Sequence, residues 1–281
     1  MNLKTIYKRP PLPFRGNKTK WIKDLIKYFV KNHDKFENLV FIDVFGGSGI
    51  ISSLLAKLYP NNKVIYNDYD NYTKLLTKSN IDRLNELRTK IYNIIKDYEY
   101  LPKINDDDSN KIRYLIKHYY PNFENNNKLK NIFASWLIFD GVNFKLDSTF
   151  YNRLPKNNYS NVDIKDYLPD NVIIEHLEYK DLINKYKSIL NKSLLILDPP
   201  YLGTSKEFYN KEWDLKDTYN VLKLCIKYKC LLFEANSSNV IRLIKTINAN
   251  SPIPFKYKLM NKHNLGSDSK SVDYLYLFNI S

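Results

Sequence analysis

Three short runs of apolar residues constrain this chain more than any other feature: Leu39-Val-Phe-Ile-Asp43, Lys63-Val-Ile-Tyr-Asn67 and Leu194-Leu-Ile-Leu-Asp198. Each is nearly continuous in apolar side chains and stops at a polar residue. A strand with one wet face alternates apolar and polar positions. An unbroken run of this length reads instead as a strand buried on both faces, as in parallel sheets covered by helices. Ile50–Leu58, between the first two runs, has helical spacing and completes a strand–helix–strand unit. Further strands are expected at Val172–Glu175, Cys230–Glu234 and Asp273–Phe278, and helices at Lys18–Lys31, Lys180–Leu190, Leu215–Lys227 and Asn239–Asn248. This alternation predicts an α/β fold, a Rossmann-like open, mostly parallel sheet with helices on both faces.

The rhythm breaks between residues 72 and 167. That stretch contains no strong buried-strand pattern, but helical patterns at Thr73–Tyr98, Ser109–Tyr119 and Lys128–Asp140, with the polar segments Asn105–Asn110 and Lys156–Asn161 between and after them. Residues 72–167 therefore read as a mostly helical insertion carried on a core made of residues 1–71 and 168–281.

Two motifs carry chemistry. Asp198-Pro199-Pro200-Tyr201 follows directly on an expected buried strand, so it lies at the carboxyl end of that strand, where open α/β sheets bind ligands. Two consecutive prolines fix the backbone and remove two donors, leaving carbonyls as free acceptors. An acidic side chain beside such a carbonyl offers two acceptors to an exocyclic amino group, and the adjacent Tyr201 offers a flat face on which an extruded base can stack. The second motif is Phe41-Ile-Asp43-Val-Phe45-Gly46-Gly47-Ser-Gly49-Ile50. A strand, a glycine turn and a helix in succession bring backbone amides close to a nucleotide. The spacing is neither the six-residue glycine frame of dinucleotide sites nor a phosphate loop. Asp68, at the end of the next strand run, is placed to accept from ribose hydroxyls.

Composition bounds the setting. The 281-residue chain carries a net charge of +14, with 44 Lys and Arg against 30 Asp and Glu. Such a field attracts polyanions, although the same excess of Lys, Asn, Ile and Tyr also arises from AT-rich coding. No apolar run is long enough to span a bilayer and residues 1–12 lack a signal-peptide core, so no membrane partner and a cytoplasmic location are expected. Cys225 and Cys230 are too few for a zinc site and read as buried thiols. His33, His118, His176 and His263 show no ligand spacing, and no metal is expected.

Taken together, Phe45-Gly-Gly-Ser-Gly49 followed by Asp198-Pro-Pro-Tyr201 resembles the amino-methyltransferases of nucleic acids. Pro13-Phe14-Arg15-Gly16-Asn-Lys18, ahead of the glycine turn, is similar to the Gly-x-Lys element that opens the Dam-like (D12 class) DNA adenine N6-methyltransferases, and the order of motifs is the same. The resemblance covers the two core segments well and the insertion poorly. It implies a class I S-adenosylmethionine-dependent methyltransferase fold with a helical target-recognition domain, and a site-specific enzyme that transfers methyl from S-adenosyl-L-methionine to a flipped-out adenine in double-stranded DNA. Phe14, Arg15, Gly16, Lys18, Asp43, Phe45, Gly46, Gly47, Gly49, Asp68 and Asp181 would bind the cofactor. Asp198 and the Pro199 carbonyl would hold the target amine, Pro200 would stiffen that turn, and Tyr201 would stack on the base. Asp181 equally suits the first turn of a helix for dipole reasons alone. The resemblance also allows a monomer and a cognate restriction endonuclease.

One departure stands out. Where many members carry Phe-Asn-Gly followed by arginine, this chain has Phe139-Asp140-Gly141-Val-Asn-Phe144, and then Phe150-Tyr-Asn-Arg-Leu-Pro155. The recognition sequence therefore does not carry over. An RNA base-amine methyltransferase, a catalytically silent DNA-binding relative and an N4-cytosine methyltransferase stay open at this point.

Overall fold

The computed structural model describes residues 6, 9–12, 14, 16–96, 105–121, 167–200, 213–235, 240–250, 256–264 and 272–280. They fall into two compact units, one drawn from Met1–Lys8, Lys18–Tyr69 and Pro169–Ser281 and the other from Arg9–Asn17 and Asp70–Leu168.

The first unit is built on seven strands: β1 (Val40–Asp43), β2 (Val64–Asn67), β3 (Val172–Glu175), β4 (Ser193–Leu197), β5 (Lys229–Ala235), β6 (Tyr257–Asn264) and β7 (Val272–Phe278). They form one sheet in the order β3-β2-β1-β4-β5-β7-β6. The first five are mutually parallel, while β7 runs antiparallel to both β5 and β6. The three apolar runs become β2, β1 and β4, the inner three of the five parallel strands. Each residue of β4 is buried, as is each residue of β2, which is why their sequences do not alternate.

Helices cover this sheet with apolar stripes at helical spacing. In α1 (Ile22–Lys31) the buried residues are Ile22, Leu25 and Phe29. The helix α2 (Ile50–Leu58) is buried nearly all round. Sequence reasoning and structure agree closely on α2 and on β3, within a residue or two on the other expected strands. The expected helix from Lys18 begins as a short 3-10 turn over Thr19–Trp21. The strand β6 is a departure: Tyr257–Asn264 is too polar to announce itself, and forms because it is an edge strand that pairs on one side only, with a register shift between Leu259 and Asn261.

The second unit contains α3 (Lys78–Ile95) and α4 (Asp106–Tyr119). The expected helix over Thr73–Tyr98 is divided: a 3-10 turn spans Tyr72–Leu75, and α3 starts only after Thr77, whose side chain accepts from the Asn80 amide. The helix α4 starts earlier than expected, because Asn105 caps it and three aspartates fill its first turn. The helix expected at Lys128–Asp140 and the altered Phe139–Pro155 segments lie outside the described residues. No helix among the described residues is long and apolar enough to cross a membrane.

Three further helices complete the first unit: α5 (Tyr179–Lys185), α6 (Leu215–Lys227) and α7 (Val240–Ala249). On α6 the buried stripe is Thr218, Val221, Leu222 and Cys225, and it packs with the β4 and β5 residues Leu195, Leu197, Cys230 and Leu232 in one core. Both cysteines are free and buried.

Candidate active site

The strand order reverses between β1 and β4, and the carboxyl ends of these neighbours open the crevice in which such sheets bind ligands. Asp43 ends β1, opposite Ile196 of β4, and the Val44 amide continues the ladder to the Ile196 carbonyl at 3.0 Å. Asp198 follows one residue past the end of β4. The two motifs meet here because parallel pairing aligns the ends of the strands that carry them.

A third element joins them. Lys18, ahead of α1, forms an ion pair with Asp198 Oδ2; its side chain is 8% exposed and that of Asp198 20%. The Lys18 ammonium also lies over the Phe233 ring at 5.4 Å from its centre. Burial raises the Asp198 pKa, and Lys18 works against that rise. A buried carboxylate is costly unless paired, and this lysine favours the charged form of Asp198. Asp43 accepts from Ser52 Oγ at 2.7 Å. Burial pushes its carboxyl up to about 7; the Ser52 hydrogen bond opposes this, nearby Asp198 adds to it and Lys18 again lowers it.

The glycine turn is shaped from beneath by Tyr66. Gly47 and Gly49 have φ of 53° and 72°, the left-handed region that favours glycine. At Gly46 an added Cβ would lie 2.3 Å from the Tyr66 ring, and Tyr66 donates to the Gly47 carbonyl at 2.7 Å. The turn therefore rests on an aromatic plate that leaves no room for a side chain at Gly46. Asp68 directly follows β2 and is fully buried. Its amide donates to the Glu175 carbonyl at 2.7 Å, and its carbonyl lies 2.8 Å from His176 Nδ1.

Other residues hold this edge without announcing themselves in the sequence. Asn67 donates to the Val44 and Leu177 carbonyls at 3.0 and 2.9 Å and accepts from the Leu177 amide at 3.0 Å, so one buried amide ties the ends of β1, β2 and β3 together. Phe45, Tyr179 and Trp213 form an aromatic triangle with ring centres 5.4 to 5.6 Å apart. Tyr179 donates to Asp217 Oδ1 at 2.7 Å, Lys180 Nζ reaches the same oxygen at 2.6 Å, and the Trp213 indole donates to Thr218 at 2.9 Å. A polar residue closing a buried run was the available signal for Asn67, and a position just past β3 the signal for Tyr179. Asp217 had none. Asp181, singled out from the sequence, sits exposed in the first turn of α5.

Of the opening segment, the structure brings Lys18 to Asp198. Phe14 and Gly16 belong to the second unit, where Phe14 packs edge-on against Tyr72 at 5.5 Å and Gly16 has φ of 76°. Pro199 and Pro200 line a small cavity of about 10 Å³ with Trp213, Leu232 and Glu234, room for about one water. Arg15 and Tyr201 lie outside the described residues. Among the described residues, His33, Asp34 and Glu37 bring three ligand atoms within 4.8 Å of one another, with His33 stacked on Tyr59 and paired with Glu37 at 3.1 Å.

Comparison with known proteins gives the family. Residues 14–265 match the model of the D12 class N6 adenine-specific DNA methyltransferases. A Haemophilus influenzae protein named "Putative methyltransferase" is 33% identical over 249 residues, covering 86% of this chain and 80% of that one. A solved Escherichia coli structure titled "Putative methyltransferase yhhF" aligns over 96% of this chain and 92% of its own at 9% identity, with a TM-score of 0.35. With the family model matched across both motifs and the Gly-x-Lys element, the chain belongs to the D12 class N6 adenine-specific DNA methyltransferase family.

Proposed function

We propose that this methyltransferase acts on the N6 amine of a flipped-out adenine in double-stranded DNA, with S-adenosyl-L-methionine as methyl donor. The observation that carries the reading is the largely buried Lys18–Asp198 ion pair at the sheet's switch point, one strand from a turn with no room for a side chain at Gly46. The residues suit the cofactor's chemistry. The turn leads into the amino end of α2, whose first amides make no bond within the helix, and carboxyl groups at the ends of β1, β2 and β4 suit a cationic nucleoside.

When bound, the cofactor supplies an electrophilic methyl on a positively charged sulfur with its own leaving group. The chain's residues do the rest. Phe45, Gly46, Gly47 and Gly49 would line the cofactor side and Asp68 and Asp181 would hold the ribose and adenine, with Phe14, Arg15 and Gly16 added to the cofactor set by the family resemblance. Asp198 and the Pro199 carbonyl each accept one N–H of the target amine, which localises its lone pair toward the methyl group. Tyr201 stacks on the base. Rate enhancement rests on positioning and on excluding water from the crevice. Lys18 opposes the rise that burial gives the Asp198 pKa and so favours the ionised, accepting form.

The test is transfer of labelled methyl to AT-rich duplex DNA, digestion to nucleosides and identification of the product. N6-methyladenine is expected. N4-methylcytosine would change the base, methylation of structured RNA alone would change the polymer, and cofactor-free DNA binding with no transfer to either would reduce the protein to a silent scaffold.

A further inference from the structure

The mechanism above makes no use of Asp273, a buried acid on β7. Asp273, the second residue of β7, is 8% exposed, and its Oδ1 has no hydrogen-bond partner. A buried carboxylate oxygen without a donor is rare in folded proteins and calls for a reason.

Its place in the sheet supplies one. Asp273 stands opposite Ala235 of β5, and Leu275 opposite Phe233. Residues opposite each other across a ladder share a face, as do residues two apart along a strand. Asp273 thus shares a face with Phe233, the ring that carries Lys18. On its other side Asp273 pairs with His263 of β6. His263 lies 4.4 Å from Trp21, which itself packs on Phe233 at 5.6 Å, so all these groups occupy one face. Because β7 is antiparallel to β5, its first residues lie at the same edge as Asp198.

The charged groups around Asp273 are Lys18 and Lys20 from the segment before α1, Asp198 after β4 and His263 on β6. Asp24 of α1 stands behind His263, 2.7 Å from its Nε2. Burial raises the Asp273 pKa; Lys18 is the largest charge opposing that rise, and Asp198 adds to it. Two carboxylates thus face one buried lysine.

We propose that Asp273 is a positioning residue of the amine site, a second anion that holds Lys18 over Phe233 while Asp198 takes the substrate amine. The inference rests on the methyl-transfer reading above. An incoming amine competes with Lys18 for the Asp198 carboxylate. A lysine with a single anion either blocks the amine or leaves with its charge, and a lysine shared between two anions does neither.

The sign of a pH shift separates this role from mere proximity. If Asp273 is only a nearby negative charge, its removal eases the repulsion on Asp198, and the acid limb of the kcat profile moves to lower pH. If Asp273 holds Lys18 in place, its removal costs Asp198 its cation. The acid limb then moves to higher pH by about one unit, the scale of a lost opposite charge at close range.

The experiment uses the full chain. Asp273→Ala is expected to lower kcat roughly tenfold, the scale of coupling within one charge network, with S-adenosylmethionine affinity unchanged and the acid limb moved up. In parallel, protein labelled with 13C at the lysine ε carbons is examined by NMR, the Lys18 signal being identified by its loss in Lys18→Arg. That signal must move in Asp273→Ala, and also in the isosteric Asp273→Asn, which guards against a folding defect in the first variant. An unmoved Lys18 signal, or an acid limb that stays or falls, overturns the inference while leaving the methyl-transfer reading intact. A wild-type protein that methylates no nucleic acid, but whose Lys18 signal moves in both variants, removes that reading and leaves the Lys18–Asp273 link standing.

Discussion

The two sides of the crevice are built on opposite plans. Toward β4, β5 and β7 the edge is ionic: Asp198 and Asp273 surround Lys18, with Asp43 close by. Around Phe45 it is aromatic, with Tyr179 and Trp213 packed ring on ring and Tyr66 beneath the glycine turn. On the ionic side charge is buried, and the proposed amine site uses it. On the aromatic side shape is primary, and the polar groups stand behind the rings, where Asp217 and Thr218 orient Tyr179 and Trp213. The difference teaches where each kind of substitution should act: charge changes should strike turnover, and shape changes should strike cofactor affinity.

The largest effect belongs to the ionic side. Asp198→Ala should lower kcat for methyl transfer by roughly 10²–10³-fold, as loss of one preorganised polar contact to a reacting group does, with S-adenosylmethionine affinity little changed by calorimetry. An equal loss of affinity would blur the contrast between the two sides. Next comes the cofactor side. Gly46→Ala puts a Cβ 2.3 Å from the Tyr66 ring, so ring or turn must shift at a cost of about 1–3 kcal/mol. The affinity for S-adenosylmethionine should fall roughly 5- to 150-fold by the same figure, measured by calorimetry. Gly46→Ala combined with Tyr66→Ala should recover part of that loss.

The same contrast explains what could be read from the sequence. Residues whose chemistry follows directly from chain position, such as Asp198 at a strand end or the glycines at a turn, were legible, because buried strands and punctuating residues leave strong local patterns. The α/β architecture was legible for the same reason. Lys18 was legible only through its spacing to Gly16, and its ion pair with Asp198, 180 residues away, needed the fold. Asp273 and Asp217 act through partners on other strands and helices, so nothing local marks them. The strand β6 was missed because an edge strand buries too little to need an apolar pattern. Asp181 lies exposed in the first turn of α5, the place for which an acid is favoured by the helix dipole.

A smaller effect concerns pH and tests whether the ionic side stores a stability penalty. The folded-state pKa of Asp43 is about 7, against an unfolded value of about 3.9. Between those values the folded chain holds the proton and the unfolded chain does not. Stability from this group is therefore present in full below about pH 4 and is lost as pH rises through 7. Burial raises Asp198 and Asp273 in the same direction. Thermal unfolding should show Tm falling from pH 5 to pH 8. Asp43→Asn, whose amide oxygen can still accept from Ser52, should flatten part of that fall. An unchanged slope would mean that Asp43 stays ionised in the folded chain and that the burden lies with the other two acids.

The smallest effect belongs behind the aromatic side. Asp217 is buried and accepts from both Tyr179 and Lys180, so losing one donor leaves it paired with the other. Tyr179→Phe keeps the ring against Phe45 and Trp213 and removes only a hydrogen bond to a carboxylate, a loss of about 1.5–3 kcal/mol at most. Stability should fall by less than that, because Lys180 remains, and kcat should not change. Tyr179→Ala removes the ring as well, and should weaken S-adenosylmethionine binding if the triangle shapes the cofactor side. Calorimetry on the two variants separates the hydroxyl from the ring. Equal affinity in both would show that the triangle serves only the core, and that the division of the crevice into an ionic and an aromatic half has no bearing on the cofactor.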